Sequence, residues 1–498
     1  MLFNSYIFLF LFLPTTFLGF LLFSNLAGSR SGKAWLTLSS LFFYGWWNPV
    51  YLGLIIPSIL ANFSLGRWIQ KRASIHLATA PITWFAVAAN LLLLGYFKYA
   101  EFLSTNLSAA FGLDWTITKV VLPLGISFFT FTQIAFILDA RRGLAGTGGL
   151  GDFFLFVTFF PHLIAGPVIH HSQMMPQFED PNTYKFNADN LAVGLWIFAA
   201  GLAKKVLIAD GLSASAGKVF IAVNSGQNVS TLDGWAGVLA YTFQIYFDFS
   251  GYSDMAIGLA KIFGITLPLN FNSPYQAASV ADFWKRWHMT LSQFLRDYVY
   301  IPLGGNRNGL PRCCGNLLLT MLLGGIWHGA GWNFLIWGAL HGVLLVVNHC
   351  WRAFSSTPKK ASTQTGPFQM WAGRVATLFA VIIGWVFFRS ETPGAAGRLL
   401  EAMFGIGAGP APGADPLLKT KLWIWITLLF AWVWFLPNVA QITSSKLLYA
   451  GVQAPPSDSF GSRFSLSYSA PWAVLAGVLL ALSILSMGKA TEFLYYNF

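Results

Sequence analysis

Apolar residues in this chain come in long continuous runs and do not alternate with polar ones. The runs fall near 3–23, 82–97, 118–138, 152–169, 191–209, 317–347, 373–388, 421–437 and 471–487. About 20 apolar residues are needed for a helix to cross a hydrocarbon core. Unbroken runs of that size predict spanning helices, because a membrane barrel strand would alternate. The stretch 34–66 is interrupted by Trp46, Trp47, Asn48 and Pro49. Proline breaks a helix and tryptophan favours the interface, so two short spans are expected there. That reading puts the basic loops 24–33 and 67–80 on one side and the N-terminus on the other, the outside. Residues 2–23 lack a basic n-region and a small-residue cleavage site, so they read as a retained first span. The total is roughly ten to twelve crossings.

The middle of the chain departs from this pattern. Residues 235–260 are apolar but carry Gln244, Asp248, Ser250, Ser253 and Asp254. Residues 281–312 carry Asp282, Lys285, Arg286, His288, Arg296, Asp297, Arg307 and Arg312. Too polar for lipid and too aromatic for a loose loop, these stretches predict re-entrant or interfacial helices around a water-accessible cavity. The Gly-, Pro-, Ser- and Thr-rich connections 355–367 and 405–416 read as exposed loops. With no internal repeat and no separate soluble segment, 1–498 is expected to be one integral-membrane domain.

Composition supports the membrane reading and narrows the partners. Hydrophobic types make up 55% and charged types 10% of the 498 residues, and mean hydropathy is +0.59. A soluble domain carries about 25% charged residues, so most of this chain is expected in lipid. The net charge of +12 is spread over short basic clusters between the apolar runs, among them Arg67, Lys71 and Arg72, and Lys204 and Lys205. Such clusters mark cytoplasmic loops, and nucleic acid is not an expected partner. Three cysteines, Cys313, Cys314 and Cys350, have no zinc-ligand spacing. Neither a disulfide nor a bound metal is expected.

Two histidines stand in dense polar-aromatic motifs. One ends Phe283-Trp284-Lys285-Arg286-Trp287-His288, and the other lies in Trp327-His328-Gly329-Ala330-Gly331-Trp332-Asn333. An ionisable group in an apolar, glycine-rich helix faces a cavity or a partner, and imidazole suits proton transfer near neutrality. His328 is thus the best candidate general base; the alternative is a histidine that only hydrogen-bonds between helices. Trp284, Trp287, Trp327 and Trp332 flank the two histidines as tunnel walls or as packing. His341 is read as structural, His162 as lining the interior, and His170 and His171 as solvated at the interface. Asp248 and Asp254 allow an ion or proton path, or a packed polar turn; Arg296 and Asp297 pair with each other or with Lys285 and Arg286. There is no Walker A loop, G-x-S-x-G elbow or H-E-x-x-H motif, and His288 lacks the aspartate of an H-x-x-x-x-D acyltransferase.

Taken together, the motifs resemble those of a known family. Tyr246-Phe247-Asp248-Phe249-Ser250-Gly251-Tyr252-Ser253-Asp254-Met255-Ala256, the segment Phe283 to His288, and Leu295-Arg296-Asp297-Tyr298-Val299-Tyr300-Ile301-Pro302-Leu303-Gly304-Gly305-Asn306-Arg307 are similar to signatures of bacterial membrane-bound O-acyltransferases (MBOAT). Phe160-Pro161-His162-Leu163-Ile164-Ala165-Gly166-Pro167 and Trp327-His328-Gly329-Ala330 complete the set. The likeness is to the AlgI-like branch of alginate and cellulose O-acetylation, over residues 1–390, with variable spans over 391–498. Lys285 stands where relatives often carry arginine.

The resemblance implies an all-α polytopic MBOAT fold, a ring of helices around a catalytic funnel open to both faces. It makes His328 and His288 the family's two catalytic histidines. It implies acetyl-CoA as cytoplasmic donor, no bound cofactor, and transfer across a bacterial inner membrane for O-acetylation of an exopolysaccharide such as alginate or cellulose. Periplasmic SGNH-like partner proteins and membrane lipid complete the expected setting. His328 would deprotonate an acceptor hydroxyl or carry the acyl group itself, with His288 orienting the acceptor. Backbone amides near Gly329, or the Trp327 and Trp332 side chains, would steady the oxyanion. The rival readings are DltB-like D-alanyl transfer, with Arg307 and Lys285 meeting an acidic carrier, and a polysaccharide or ion transporter built on Asp248 and Asp254.

Overall fold

The computed structural model describes residues 1–113, 117, 120–146, 148–354, 366–407, 409, 416–447, 464–488 and 493–494. Every regular element among them is helical. Among the described residues, seven helices are long and apolar enough to cross a membrane: Phe8–Ala27, Pro49–Ser74, Ala80–Phe111, Ala188–Asn224, Gly309–His328, Trp332–Phe354 and Pro367–Arg389. Two shorter apolar helices, Thr420–Phe435 and Ala470–Ser486, join them. Most of the expected loops 355–367 and 405–416 lie outside the described residues.

The chain forms two compact units that interleave along the sequence. One comprises Met1–Ala203, Tyr252–Leu269 and Tyr468–Asn497, the other Lys204–Gly251, Asn270–Ser467 and Phe498.

In the first unit the expected break at Trp46–Pro49 is present, with one helix at Ser29–Gly45 and the next at Leu52–Ser74. Asn48 caps the turn between them by accepting from the Val50 N–H at 3.0 Å. The Leu52–Ser74, Ala80–Phe111 and Ile126–Arg142 helices pack together. Their contact is tied by Asn62, Asn90 and Gln133, with Asn90 Nδ2 donating to Asn62 Oδ1 at 2.7 Å. Such interhelical bonds satisfy polar groups that lipid could not. The run expected to span at 118–138 is the Ile126–Arg142 helix, buried along nearly its whole length. The one expected at 152–169 is broken at Phe159 into Leu150–Thr158 and Phe160–Leu163. His170 and His171, expected at the interface, are buried, and His171 lies against the Phe136 and Phe156 rings. His162 bonds through Nε2 to the Phe156 carbonyl at 3.0 Å.

The second unit holds the polar middle of the chain. Residues 235–260, expected as re-entrant or interfacial helices, are part of one continuous helix, Thr231–Ile262, whose residues up to Gly251 belong here. The run at 317–347 is two helices, Gly309–His328 and Trp332–Phe354, which pack side by side as a hairpin. Glycines allow the close approach: a Cβ on Gly338 would lie 2.5 Å from the Met321 carbonyl, and one on Gly325 would lie 2.3 Å from the Phe334 carbonyl. Small residues bring membrane helices into backbone contact in this way. The Lys204–Lys205 pair, read as a loop cluster, lies in a wide π-turn of the Ala188–Asn224 helix, and Lys205 is buried.

Candidate active site

His328 is the last residue of the Gly309–His328 helix, at the hairpin's break. The chain leaves the helix through Gly329 in an extended conformation, φ −167° and ψ 158°. Any side chain there would strike Phe334, whose ring lies 2.1 Å from the Cβ position. The apolar run is therefore interrupted by a close approach at a glycine, with no proline involved. At this break the buried imidazole sits among aromatic rings: Trp327 and Trp337 with centroids at 5.0 Å, and Phe388 at 5.2 Å. The opening of the second helix is held by Asn333, whose Nδ2 donates to the Ser390 carbonyl at 2.5 Å.

His288 reaches the same place from a different element. A short helix, Val280–Trp284, is capped by Ser279, whose Oγ accepts from the Asp282 N–H at 3.2 Å. The chain then turns so that His288 precedes Met289–Leu295 with a left-handed φ of 42°. A non-glycine residue in that region carries strain, and such residues concentrate at functional sites. The surrounding bonds hold it there. Asn270 Oδ1 lies 3.0 Å from His288 Nδ1, accepts from the Thr290 hydroxyl at 3.0 Å and from the Thr290 N–H at 3.4 Å. Met289 N–H donates to the Asn270 carbonyl at 2.9 Å. A backbone N–H can only donate, so the Asn270 atom facing it is the oxygen, and His288 must present Nδ1–H to it. In the neutral ring Nε2 then holds the lone pair. Burial lowers the His288 pKa below the usual imidazole value, so the ring is neutral at pH 7.

The two imidazoles lie in ring contact, centroids 6.4 Å apart at 56°. Trp327 touches both, at 6.0 Å from His288 and 5.0 Å from His328. Trp287 packs on Phe271 at 5.0 Å and Trp385 at 4.9 Å. Trp284 packs on Trp337 at 5.7 Å and His341 at 5.3 Å. Thus Trp327 is in ring contact with both histidines, whereas Trp284 and Trp287 pack on neighbouring aromatic rings. Trp332 is 53% exposed, which leaves it poorly placed to steady a buried oxyanion.

The charged candidates Asp248, Arg296 and Asp297 have ion-pair partners of their own. Asp248 accepts from Lys205 Nζ at 2.7 Å, and Lys205 also binds Asp210 at 2.8 Å. This buried ion triad joins the Thr231–Ile262 helix to the π-turn. Asp254, also buried, lies on the part of that helix belonging to the other unit. Arg296 and Asp297 pair with each other at 2.7 Å, with the arginine largely exposed. Asp282 pairs with Arg286 at 2.9 Å. Among the described residues no three His, Cys, Asp or Glu side chains gather as a metal would need.

Sequence reasoning passed over Asn270, Trp337, Trp385 and Phe388, and read His341 as structural. The spacing Trp337–His341 and Trp385–Phe388, one helical turn each, was the available signal for the last four. Asn270 meets His288 through a turn of the chain that no short-range pattern announces.

Helices of membrane-crossing length and two buried histidines in contact with aromatic rings define a class: a polytopic helical membrane protein with a buried histidine pair. The profile described as "MBOAT, membrane-bound O-acyltransferase family" matches residues 77–391, and the chain belongs to that family. It is similar to the peptidoglycan O-acetyltransferase of Helicobacter pylori, with 41% identity over 82% of this chain and 80% of that one. The probable alginate O-acetylase AlgI of Pseudomonas aeruginosa is 43% identical, over 82% of this chain and 75% of its own. The teichoic acid D-alanyltransferase of Bacillus subtilis shares 31% identity over 53% of this chain and 66% of its own. The protein is an O-acyltransferase, and its similarity to O-acetyltransferases over most of its length places it with the O-acetyl-transferring members.

Proposed function

We propose that the protein moves an acetyl group from cytoplasmic acetyl-CoA across the bacterial inner membrane for O-acetylation of a cell-envelope polysaccharide, with His328 as the catalytic base. The observation that carries this is the His328–His288 contact, two buried imidazoles from separate elements inside one aromatic wall. The relatives named for alginate and peptidoglycan set the acceptor class as a polysaccharide, with hydroxyl groups as the nucleophiles. Alginate, cellulose and peptidoglycan are the polymers to test, with periplasmic SGNH-like proteins as intermediate carriers.

In this reading the interior opens to both faces, so that thioester and hydroxyl meet at His328. The imidazole takes the hydroxyl proton as its oxygen attacks the thioester carbonyl. The tetrahedral intermediate collapses, the C–S bond breaks, and the imidazolium returns the proton to the departing thiolate. General-base assistance of this kind contributes about 10²–10⁴-fold. His288, neutral and with its Nε2 lone pair set by Asn270, orients the acceptor hydroxyl. The aromatic wall excludes the water that would hydrolyse the thioester.

The D-alanyl relatives favour a second reading, with an aminoacyl carrier protein as donor on the same two histidines. The transporter reading loses support because Asp248 is tied to a buried lysine, as a scaffold carboxylate would be. To test donor choice, the purified full chain in lipid nanodiscs is given labelled acetyl-CoA or labelled D-alanyl carrier, together with hydroxyl acceptors and partner proteins. Acetyl transfer to the acceptor is expected; transfer only from the D-alanyl carrier would overturn the acetyl assignment.

A further inference from the structure

His341 lies one helical turn beyond Trp337 on the Trp332–Phe354 helix, and their ring centroids are 4.9 Å apart. Trp337 in turn packs edge-on against His328. His341 is fully buried, yet neither of its ring nitrogens has a hydrogen-bond partner among the described residues. The indole N–H of Trp337 and that of Trp284, whose ring stands edge-on to His341, are likewise buried and unpartnered. Buried polar atoms are nearly always paired, and three neighbouring side chains break that rule together.

Gly384 brings two of these atoms to one spot. A Cβ at that position would lie 2.8 Å from His341 Nε2 and 3.5 Å from Trp337 Nε1. Both nitrogens therefore face the same stretch of bare helix, where a shared oxygen atom would meet each of them.

We infer that His341 Nε2 and Trp337 Nε1–H, with Trp284 Nε1–H at the edge, bind a single hydrogen-bonding oxygen atom beside His328. The oxygen fixes the Trp337 ring that walls the catalytic imidazole, which makes His341 a positioning residue. Two sources share this chemistry. A water accepts from Trp337 and can donate to or accept from His341. The carbonyl oxygen of the acyl group only accepts, and so requires the Nε2–H form of His341. The carbonyl source, and the kinetic effect, rest on the acyltransferase reading; the existence of the site does not.

The test is a cryo-electron-microscopy map of the full chain in nanodiscs, fine enough to show ordered water, recorded without donor and with acetonyl-CoA. That ketone keeps the carbonyl but has no thioester to cleave. An oxygen peak bridging the two nitrogens without donor identifies a resident water, and one present only with the ketone identifies the acyl carbonyl. No peak in either map overturns the site. Kinetics then test positioning, using whichever acyl donor the wild type turns over. His341→Leu is expected to lower kcat about tenfold or more with KM for the donor unchanged. His341→Gln, whose amide nitrogen reaches the place of Nε2, recovers most of that loss. Gly384→Ala places a Cβ 2.8 Å from His341 Nε2, in the space the oxygen would bridge, and should lower kcat in parallel. His341→Leu turning over as fast as His341→Gln would show that the residue only fills space and would overturn the positioning role. Because the donor-free map needs no substrate, a wrong donor assignment would leave it readable.

Discussion

The second unit buries polar groups in two places and treats them in opposite ways. Around Lys205 each charged group has an oppositely charged partner, with Asp248 and Asp210 both within hydrogen-bond distance of one ammonium. Around His328 there is an aromatic wall, and the nearest ionisable ring is another imidazole, kept neutral by burial. The first arrangement spends its hydrogen-bonding capacity inside the protein and suits a fixed joint. The second surrounds its histidines with rings, and burial lowers the His288 pKa, so a proton taken up there is readily given back, which suits transient proton transfer. Burial alone therefore does not mark an active site; the kind of neighbour does.

The largest change to this contrast should come from weakening the joint. Asp248→Asn keeps the Lys205–Asp210 pair but replaces a charged acceptor with a neutral amide oxygen, and is expected to destabilise the fold by about 2 kcal/mol, the scale of one hydrogen bond to a charged group. A lowered thermal midpoint would show it, while protein that remains folded should keep its turnover within severalfold. Loss of turnover at an unchanged midpoint would instead make Asp248 part of the chemistry.

The next effect concerns the imidazole pair. Asn270→Ala removes the acceptor that sets the His288 tautomer and is expected to reduce kcat about tenfold, the scale of one buried hydrogen bond. Asn270→Asp keeps the acceptor and should recover more activity than alanine does. Smaller still is a pH effect. Below about pH 6.5 the unfolded His288 takes up a proton, whereas the folded ring, with its lowered pKa, resists it. Stability contributed by the neutral ring is thus present at pH 7 and lost as pH falls. Thermal midpoints between about pH 5 and 8 should decline toward acid, less steeply in His288→Asn. The exposed pair Arg296–Asp297 closes the series: Arg296→Ala is expected to change stability by about 1 kcal/mol or less, read as a thermal midpoint.

Much of this was legible in the chain. Continuous apolar runs gave the helical membrane class, and the Trp-His motifs singled out both histidines that the fold brings into contact. The break after His328 was not legible, because Gly329–Gly331 sit in an apolar run with no proline, and only Phe334 reveals why the glycine is needed. Lys205 was read with Lys204 as a loop cluster because its partners, Asp210 and Asp248, compensate it only in the fold. His170 and His171 were misread for a related reason: a polar doublet looks solvated until the turn that buries both rings is known. The role of Asn270 depended on which nitrogen of His288 it faces, a matter of hydrogen-bond geometry that sequence spacing does not carry.

The most direct test of the central claim compares wild-type protein with His328→Ala in nanodiscs, matched for thermal midpoint, with label followed from acetyl-CoA to a polysaccharide acceptor in the presence of its partner proteins. The account predicts rapid transfer by the wild type and a loss of about 10²–10⁴-fold in the variant, the range for removing a general base. Undiminished transfer by a folded His328→Ala protein would contradict it.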